Sequence, residues 1–467
     1  MSDHDPVLKA AFEHASRFFA GLRERPVRPD SSLDELRAAL GGALPEEGID
    51  PRRVVEELAR GADRGIVASA GPRYFGFVVG GSLPAALGAD WLASTWDQDA
   101  GLYVLGPAAA VVEDVAAGWL LDLLGLPPRS SVGFVTGGQM ANYTGLIAAR
   151  HAVLERAGWN VEEAGLAGAP PVRLVVGAQV HVTIITALRM LGLGSRDVIR
   201  VEADGQGRMR PDALRKVVDS RDGPVIVCAQ AGDVNTGAFD PFEEIVDVLR
   251  GRNAWLHVDG AFGLWAGACP ERRHLLKGVD GADSWATDAH KWLNVPYDCG
   301  IAIVKDPAAH RAPFAAAASY LVQTRGPERD PQDFTPEFSR RARGFAVYAA
   351  LRNLGRRGIA DLVLRLCLRA QRMAERLGRE PGVRILNDVV LNQVLVRFEP
   401  AAGADADAFT RAVIARVQRD GTCWLGGTRW HDQQAMRVSV SNWSTTEEDI
   451  DRSADVILAA VRTERKA

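Results

Sequence analysis

The sequence predicts an α/β protein built on a mostly parallel sheet, and two patterns carry that expectation. Short apolar, β-branched runs alternate with helical stretches, the order expected of βαβ units. The runs are apolar at consecutive positions rather than at every second one, as strands buried on both faces require. They lie at 172–176, 198–201, 225–229, 255–258, 284–287 and 301–304. A chain of 467 residues is also long enough for more than one core.

Before the first run, the opening ~70 residues read as helices. Ser32-Leu-Asp-Glu35 is a capping-box pattern ahead of Leu36, Ala39 and Leu40. Asp50-Pro51 combines a capping residue with a proline suited to the first helical position. Val54, Val55 and Leu58 then recur at helical spacing. This segment buries little by itself and is expected to wrap a partner subunit. After Arg343 a long helical pattern passes Arg352, Leu362 and Leu366 and ends near Gly378. Strand-like runs follow at 389–398 and 436–440, with a helix expected from about Ala404 to Arg419. The organisation that results is a helical segment over 1–85, a large α/β domain over 86–350 and a small α+β domain over 351–467.

Composition narrows the function. The net charge is −4, so no basic surface argues for nucleic acid. The Arg340-Arg341 and Arg356-Arg357 pairs are short and suit solvated or buried-pair helix faces. The five cysteines form no Cys-x-x-Cys and are an odd number, which fits a reducing compartment. The acidic start, Met1-Ser-Asp-His-Asp-Pro, leads into no apolar segment of a signal peptide. No stretch is apolar enough to span a bilayer, so the expected address is the cytoplasm.

Four segments carry chemistry. The first is Asp283-Ser-Trp-Ala-Thr-Asp-Ala-His290-Lys291-Trp292, which sets a lysine after a buried strand and before apolar residues. Desolvation favours the neutral amine, the form that adds to carbonyls. The second, Trp255-Leu-His-Val-Asp259-Gly-Ala261, ends an apolar strand on a carboxylate that needs a partner. The protonated ring nitrogen of a flat cofactor is one such partner, and Gly260 and Ala261 leave room for a ring. The third, Thr136-Gly137-Gly138-Gln139, joins a strand to a helix whose N-terminus favours a phosphate. The fourth places His181 at the start of another helix, where an imidazole can stack on a ring and move protons. Taken singly, each is as well explained by a surface lysine, a capping aspartate, a common turn or a helix-starting histidine.

Other chemistries lack their motifs. His181, His257 and His290 have no metal-ligand spacing, and no metal is expected. Neither a Walker A loop nor Gly-x-Gly-x-x-Gly is present, and no Gly-x-Ser-x-Gly elbow supports a hydrolase.

Together the segments resemble the group II decarboxylases that use pyridoxal phosphate (PLP), the family of aromatic-amino-acid and glutamate decarboxylases. The order Gly-Gly turn, His181, His-Val-Asp259-x-Ala261 and Asp-x-His290-Lys291-Trp matches over roughly residues 70–350. The resemblance implies PLP fold type I, a homodimer with sites between subunits, and loss of CO₂ from an amino acid to leave an amine. It implies Lys291 as the covalent anchor of the cofactor, Asp259 on the pyridine nitrogen and His181 over the ring. It places Ala261 under the ring and Gly137, Gly138, Gln139 and His290 at the phosphate. Tyr74-Phe-Gly-Phe77 and Pro84 are similar to the family's pocket entrance. Trp91, Trp96 and Tyr103 would suit an aromatic substrate or core packing. Arg437 is a candidate for the substrate carboxylate, with structural pairing as its other use.

One departure bears on the product. In aromatic members of the family a loop before the Arg-Arg pair carries a tyrosine that protonates the substrate carbon. The corresponding stretch, 326–339, has no tyrosine, and Phe334 is its only aromatic before Phe338. A carbonyl product, a transaminase or aldol-type lyase, and a non-catalytic PLP-binding protein are therefore weighed beside the decarboxylase.

Overall fold

The computed structural model describes residues 4–315, 328–400 and 404–466. Its centre is a seven-stranded sheet: β1 (Ser131–Val135), β2 (Arg173–Gly177), β3 (Ile199–Val201), β4 (Val225–Gln230), β5 (Ala254–Asp259), β6 (Ser284–Asp288) and β7 (Gly300–Val304). The spatial order is β1-β7-β6-β5-β4-β2-β3. Strand β7 runs antiparallel to both of its neighbours, and the remaining pairs are parallel. The sheet is thus α/β and mostly parallel, as the runs imply.

Alternate side chains feed opposite faces, which is why the runs are apolar throughout. On β4 and β5, Val225, Val227, Leu256 and Val258 join the main core. Ile226, Cys228 and Trp255 pack on the other face, with Leu146 and Val153 of the helix Gly138–Glu155. Each fully buried valine or leucine contributes roughly 1.5–3 kcal/mol of transfer free energy. Residues that meet a ligand are then expected where strands end.

The helices Asp5–Gly21, Leu33–Leu40 and Pro51–Ala62 occupy the N-terminal region. Ser32 and Glu35 form the expected capping box, and Asp50 accepts from the Arg53 amide at 3.0 Å. The helix Gly344–Gly378 spans the boundary expected at 350 and breaks at Gly355, whose φ of 60° suits glycine.

The C-terminal region carries a four-stranded antiparallel sheet: β8 (Val383–Ile385), β9 (Gln393–Phe398), β10 (Gly426–Trp430) and β11 (Gln433–Ser439). The helices Ala406–Asp420 and Glu447–Glu464 accompany it. The strand expected from Val389 starts only at Gln393, because Val389 adopts φ 47° and cannot continue a pleat. The Tyr74 segment ties this region to the large sheet. The Phe75 amide donates to the Trp424 carbonyl at 2.7 Å, and the Ser439 amide donates to the Phe75 carbonyl at 2.9 Å.

Arg340 and Arg341 lie ahead of the helix Gly344–Gly378 rather than on a helix face, and the Arg341 backbone forms a β-bridge with Asp99. Arg340 is buried on Glu113 at 2.9 Å, whereas Arg341 meets Asp90 at the surface at 2.7 Å.

Candidate active site

The ends of β1, β2, β4, β5 and β6 converge on one cavity of ≈ 310 Å³. Such crevices beyond the carboxyl ends of strands are where α/β sheets bind ligands. Phe77, Gly138, His181, Asp259, Ala261 and Lys291 are among its walls.

Lys291 follows β6 by one short turn. The Asp288 amide donates to the Ala261 carbonyl at 2.9 Å, and the Ala289 amide donates to the Cys299 carbonyl at 3.0 Å, so the turn is held from both sides. Gly80 lies against the same turn: its amide donates to the His290 carbonyl at 3.2 Å, and a Cβ there would be 2.0 Å from the Lys291 carbonyl oxygen. The Lys291 ammonium sits 2.9 Å from Asp288 Oδ2, with the lysine side chain 20% exposed and the aspartate 2%. Asp288 Oδ1 is buried without a hydrogen-bond partner among the described residues.

Asp259 is buried at the end of β5. Its Oδ1 accepts from the Ala261 amide and its Oδ2 from Asn142 Nδ2, both at 3.1 Å. His181 caps the helix Val182–Met190. Its Nδ1 accepts from the Thr183 hydroxyl at 2.8 Å and the Thr183 amide at 3.4 Å. Burial, the largest influence, holds its pKa below the ordinary 6.5 against the pull of Asp259. Its Nε2–H is therefore the hydrogen that remains for a ligand.

At the other end of the cavity, Gly137 precedes the helix Gly138–Glu155. A Cβ on Gly138 would lie 2.7 Å from Asp288 Oδ2, and one on Gly137 would lie 3.4 Å from the His290 ring. His290 Nδ1 accepts from the Cys299 amide at 3.2 Å, and its ring stacks on Tyr297 at 4.3 Å. Burial also lowers the pKa of His290.

The structure thus brings together Lys291, His181, Asp259, Gly138, Gln139, Ala261 and His290 as cavity walls, with Gly137 beside His290. Phe77 reaches the cavity, stacked on Trp424 at 5.5 Å, while Tyr74 is buried, also stacked on that indole at 5.2 Å, and is not among the cavity walls. Pro84 instead starts the helix Pro84–Trp96. Trp91, Trp96 and Tyr103 do not line the cavity; Trp96 packs edge-on to Phe345 and Trp91 edge-on to Phe12. Three further wall residues had a sequence signal only as neighbours of the motifs: Asn142, Thr183 and Asp288.

The family model for the "Pyridoxal-dependent decarboxylase conserved domain" matches residues 34–399. The chain belongs to that family. Its cofactor is pyridoxal phosphate, and its reaction is the decarboxylation of an amino acid, which makes it a carboxy-lyase. The aromatic-L-amino-acid decarboxylase of Bacillus atrophaeus is 28% identical over 439 residues, covering 92% of this chain and 89% of that protein. The 4-hydroxyphenylacetaldehyde synthase of Rhodiola rosea is 26% identical over 465 residues, covering 95% and 92%. The crystal structure of Oryza sativa TDC with PLP and tryptamine superposes with a TM-score of 0.92 at 24% identity, covering 99% of this chain and 98% of that one, and so attests the shared fold.

The residues present fit the cofactor of this decarboxylase. A lysine and a buried carboxylate face one cavity, the small Ala261 is among its walls, and the glycine turn is a cradle that a Cβ would fill. Close approach of β7 keeps that cradle in shape: a Cβ on Gly300 would lie 2.4 Å from the Gly137 carbonyl carbon. Gly300→Ala is expected to weaken PLP retention about tenfold, from an overpacking cost of about 1–3 kcal/mol pressed onto the turn. Equilibrium dialysis of bound PLP checks this, and unchanged retention contradicts it.

Two buried histidines outside the cavity make stability depend on pH. Burial pushes His257, beneath Asp259, and His310, against Phe334, each down to about 3 from 6.5. Below pH 6.5 the unfolded chain takes up protons that the folded chain refuses, so stability falls as pH drops from 6.5 toward 3. Each histidine costs about 1.4 kcal/mol per pH unit within that window. The urea midpoint is expected to be clearly lower at pH 5 than at pH 7.5; equal midpoints contradict this account.

Proposed function

We propose that the chain decarboxylates an L-amino acid with an apolar or aromatic side chain, with Lys291 as the covalent anchor of PLP and Asp259 as the partner of its ring nitrogen. The observation that carries this reading is the delivery of Lys291 and Asp259, from the ends of adjacent strands, into one cavity. When bound, PLP supplies a conjugated electron sink for the pair released as the carboxylate leaves.

The chain's own residues do the rest. The Asp259 carboxylate holds a proton at the ring nitrogen. His181, fixed through Nδ1, presents its Nε2–H to the cavity. The N-terminus of the helix Gly138–Glu155 and His290 receive the phosphate. The Lys291 amine, once released, returns to Asp288, the partner it holds at 2.9 Å. Arg437 is proposed to orient the substrate carboxylate: Nη1 donates to the Val234 carbonyl at 3.2 Å, Val234 lines the cavity, and no ion pair of the described residues involves this arginine. The apolar ring of Phe77 favours an apolar substrate.

The reading extends to a homodimer. Phe12, Leu33 and Leu58 are 59%, 62% and 60% exposed, an apolar face that a second copy would cover. Five free, buried cysteines support a cytoplasmic address, and no described helix is long and apolar enough to cross a membrane.

A second reading has its own observation. The stretch 326–339 lacks a tyrosine, and residues 326 and 327 lie outside those described. Within its described part, Phe334 is committed to packing, with Arg329 over its ring at 4.2 Å and His310 at 5.3 Å. Without that proton donor the route to a carbonyl opens: amino acid, O₂ and water give aldehyde, CO₂, ammonia and hydrogen peroxide. The Rhodiola relative is named an aldehyde synthase. A panel of L-amino acids assayed together for CO₂, amine, aldehyde and peroxide decides. Amine equal to CO₂ supports the first reading, aldehyde with peroxide the second, and no CO₂ from any amino acid overturns both.

A further inference from the structure

A buried line of hydrogen bonds runs back from Asp259 into the sheet. Trp255, His257 and Asp259 hold alternate positions on β5 and so share one face. Ser284 on β6 is in register with His257. The helix Gly138–Glu155 covers this face and brings Asn142.

The chemistry of each group fixes the direction of the line. The Trp255 indole N–H can only donate, and it donates to Ser284 Oγ at 2.8 Å. The Ser284 hydroxyl in turn donates to His257 Nδ1, also at 2.8 Å. The one hydrogen of the neutral imidazole is then on Nε2, which donates to Asn142 Oδ1 at 2.9 Å. Asn142 is left with its amide hydrogens for Asp259 Oδ2 at 3.1 Å and Thr183 Oγ1 at 3.2 Å. The opposite direction would turn the Asn142 carbonyl against the Asp259 carboxylate. Every donor therefore points toward Asp259.

The packing is shaped around this line. His257 and Ser284 are fully buried and Asn142 nearly so. A Cβ on Gly145 would lie 2.7 Å from the His257 ring, so the helix carries its glycine where the imidazole passes. Apolar side chains would fill the same space without the cost of desolvating polar groups. A fully satisfied polar network instead specifies one arrangement.

We propose that Asn142, His257 and Ser284 are positioning residues that aim the Asp259 carboxylate into the cavity and load it with donated hydrogen bonds, so that the proton shared with the cofactor's ring nitrogen stays on nitrogen. Charge-assisted donors of this kind stabilise the anion, and the line transmits that effect through Asn142, at the cavity wall, from His257 and Ser284, which do not line the cavity. The inference rests on the reading that Asp259 faces the ring nitrogen.

The test uses holoenzyme reconstituted with PLP labelled with ¹⁵N in the ring, observed by NMR. In His257→Phe the ¹⁵N resonance is expected to move from its wild-type position toward that of an unprotonated pyridine. His257→Gln, which can still donate to Asn142, is expected to move it back. Ser284→Ala, the smallest change, is expected to give an intermediate shift. A wild-type resonance in His257→Phe protein that binds one PLP per chain overturns the proposal; should that variant not fold, an unshifted Ser284→Ala resonance overturns it instead. Asp259→Asn separates the two levels. If it moves the resonance and His257→Phe does not, the line fails and the Asp259 reading stands. If Asp259→Asn leaves the resonance unmoved, the Asp259 reading itself fails.

Discussion

Lys291→Ala protein is expected to lose decarboxylation by on the order of 10³-fold or more, because the covalent catalysis and proton transfer proposed for this amine are removed together. It is also expected to lose the covalent link to PLP. Borohydride reduction followed by intact-mass measurement reads this directly: wild-type chain gains the mass of one reduced cofactor, and the variant gains none. A second effect comes from Asp288. Its side chain is 2% exposed, its Oδ1 makes no hydrogen bond among the described residues and meets His290 Nε2 only at 3.6 Å, and its Oδ2 relies on Lys291 at 2.9 Å. Removing the lysine takes away the cation that pairs this buried carboxylate and leaves, among the described residues, only His290, whose proton affinity burial lowers; breaking a buried pair costs about 3–5 kcal/mol in comparable sites. The variant should therefore unfold at lower urea concentration, and Asp288→Asn added to Lys291→Ala should restore much of that loss. The covalent mass must stay absent in the double variant. A reduced adduct on either variant assigns the anchor to another lysine.

The large sheet was legible because its strands are buried on both faces and so lack the polar interruptions that blur an edge. The small sheet was less so. Strand β8 has three residues, and β10, Gly-Gly-Thr-Arg-Trp, is half exposed and opens on two glycines, which carry no strand signal. The start of β9 was misplaced because Val389 to Asn392 are apolar in part yet follow a left-handed turn at Val389. Residue type and position at a strand end singled out Lys291, Asp259, His181 and the glycine turn, which the fold brings to one cavity. Their partners were hidden because pairing is a property of the folded chain. Asn142 and Asp259 are 117 positions apart, and only the packing of a helix on β5 sets them 3.1 Å apart. Aromatic residues were ambiguous for a physical reason: Trp91 and Trp96 have the composition of a substrate pocket but sit on a helix directed elsewhere, whereas Phe77 reaches the cavity. His257, which with His181 and His290 lacks metal-ligand spacing, has no role legible in the sequence, and its place on the covered face of β5 makes it a neutral donor.

Asp259→Asn is expected to be the other severe lesion, and its physical basis differs from that of Lys291→Ala. The change is nearly isosteric, so the cavity and β5 should persist. Hydrogen bonding is where it fails. In the wild type both carboxylate oxygens are acceptors, one for Ala261 and one for Asn142, and lone pairs remain for the ring nitrogen. An asparagine has one oxygen. If that oxygen faces Ala261, its NH₂ group meets the NH₂ group of Asn142; if it faces Asn142, its NH₂ group meets the Ala261 amide. Either choice leaves a buried donor unsatisfied, at about 1–3 kcal/mol. The negative charge proposed to face the ring nitrogen is lost as well, and removing one preorganised electrostatic group costs about 10²–10³ in kcat. Loss of CO₂ release in that range or beyond is expected, with the PLP–lysine adduct still formed on Lys291, and so with the opposite borohydride result to Lys291→Ala. Activity within about threefold of wild type would show that the carboxylate is structural, a cap for Ala261 and Asn142, and that the ring nitrogen finds its proton elsewhere.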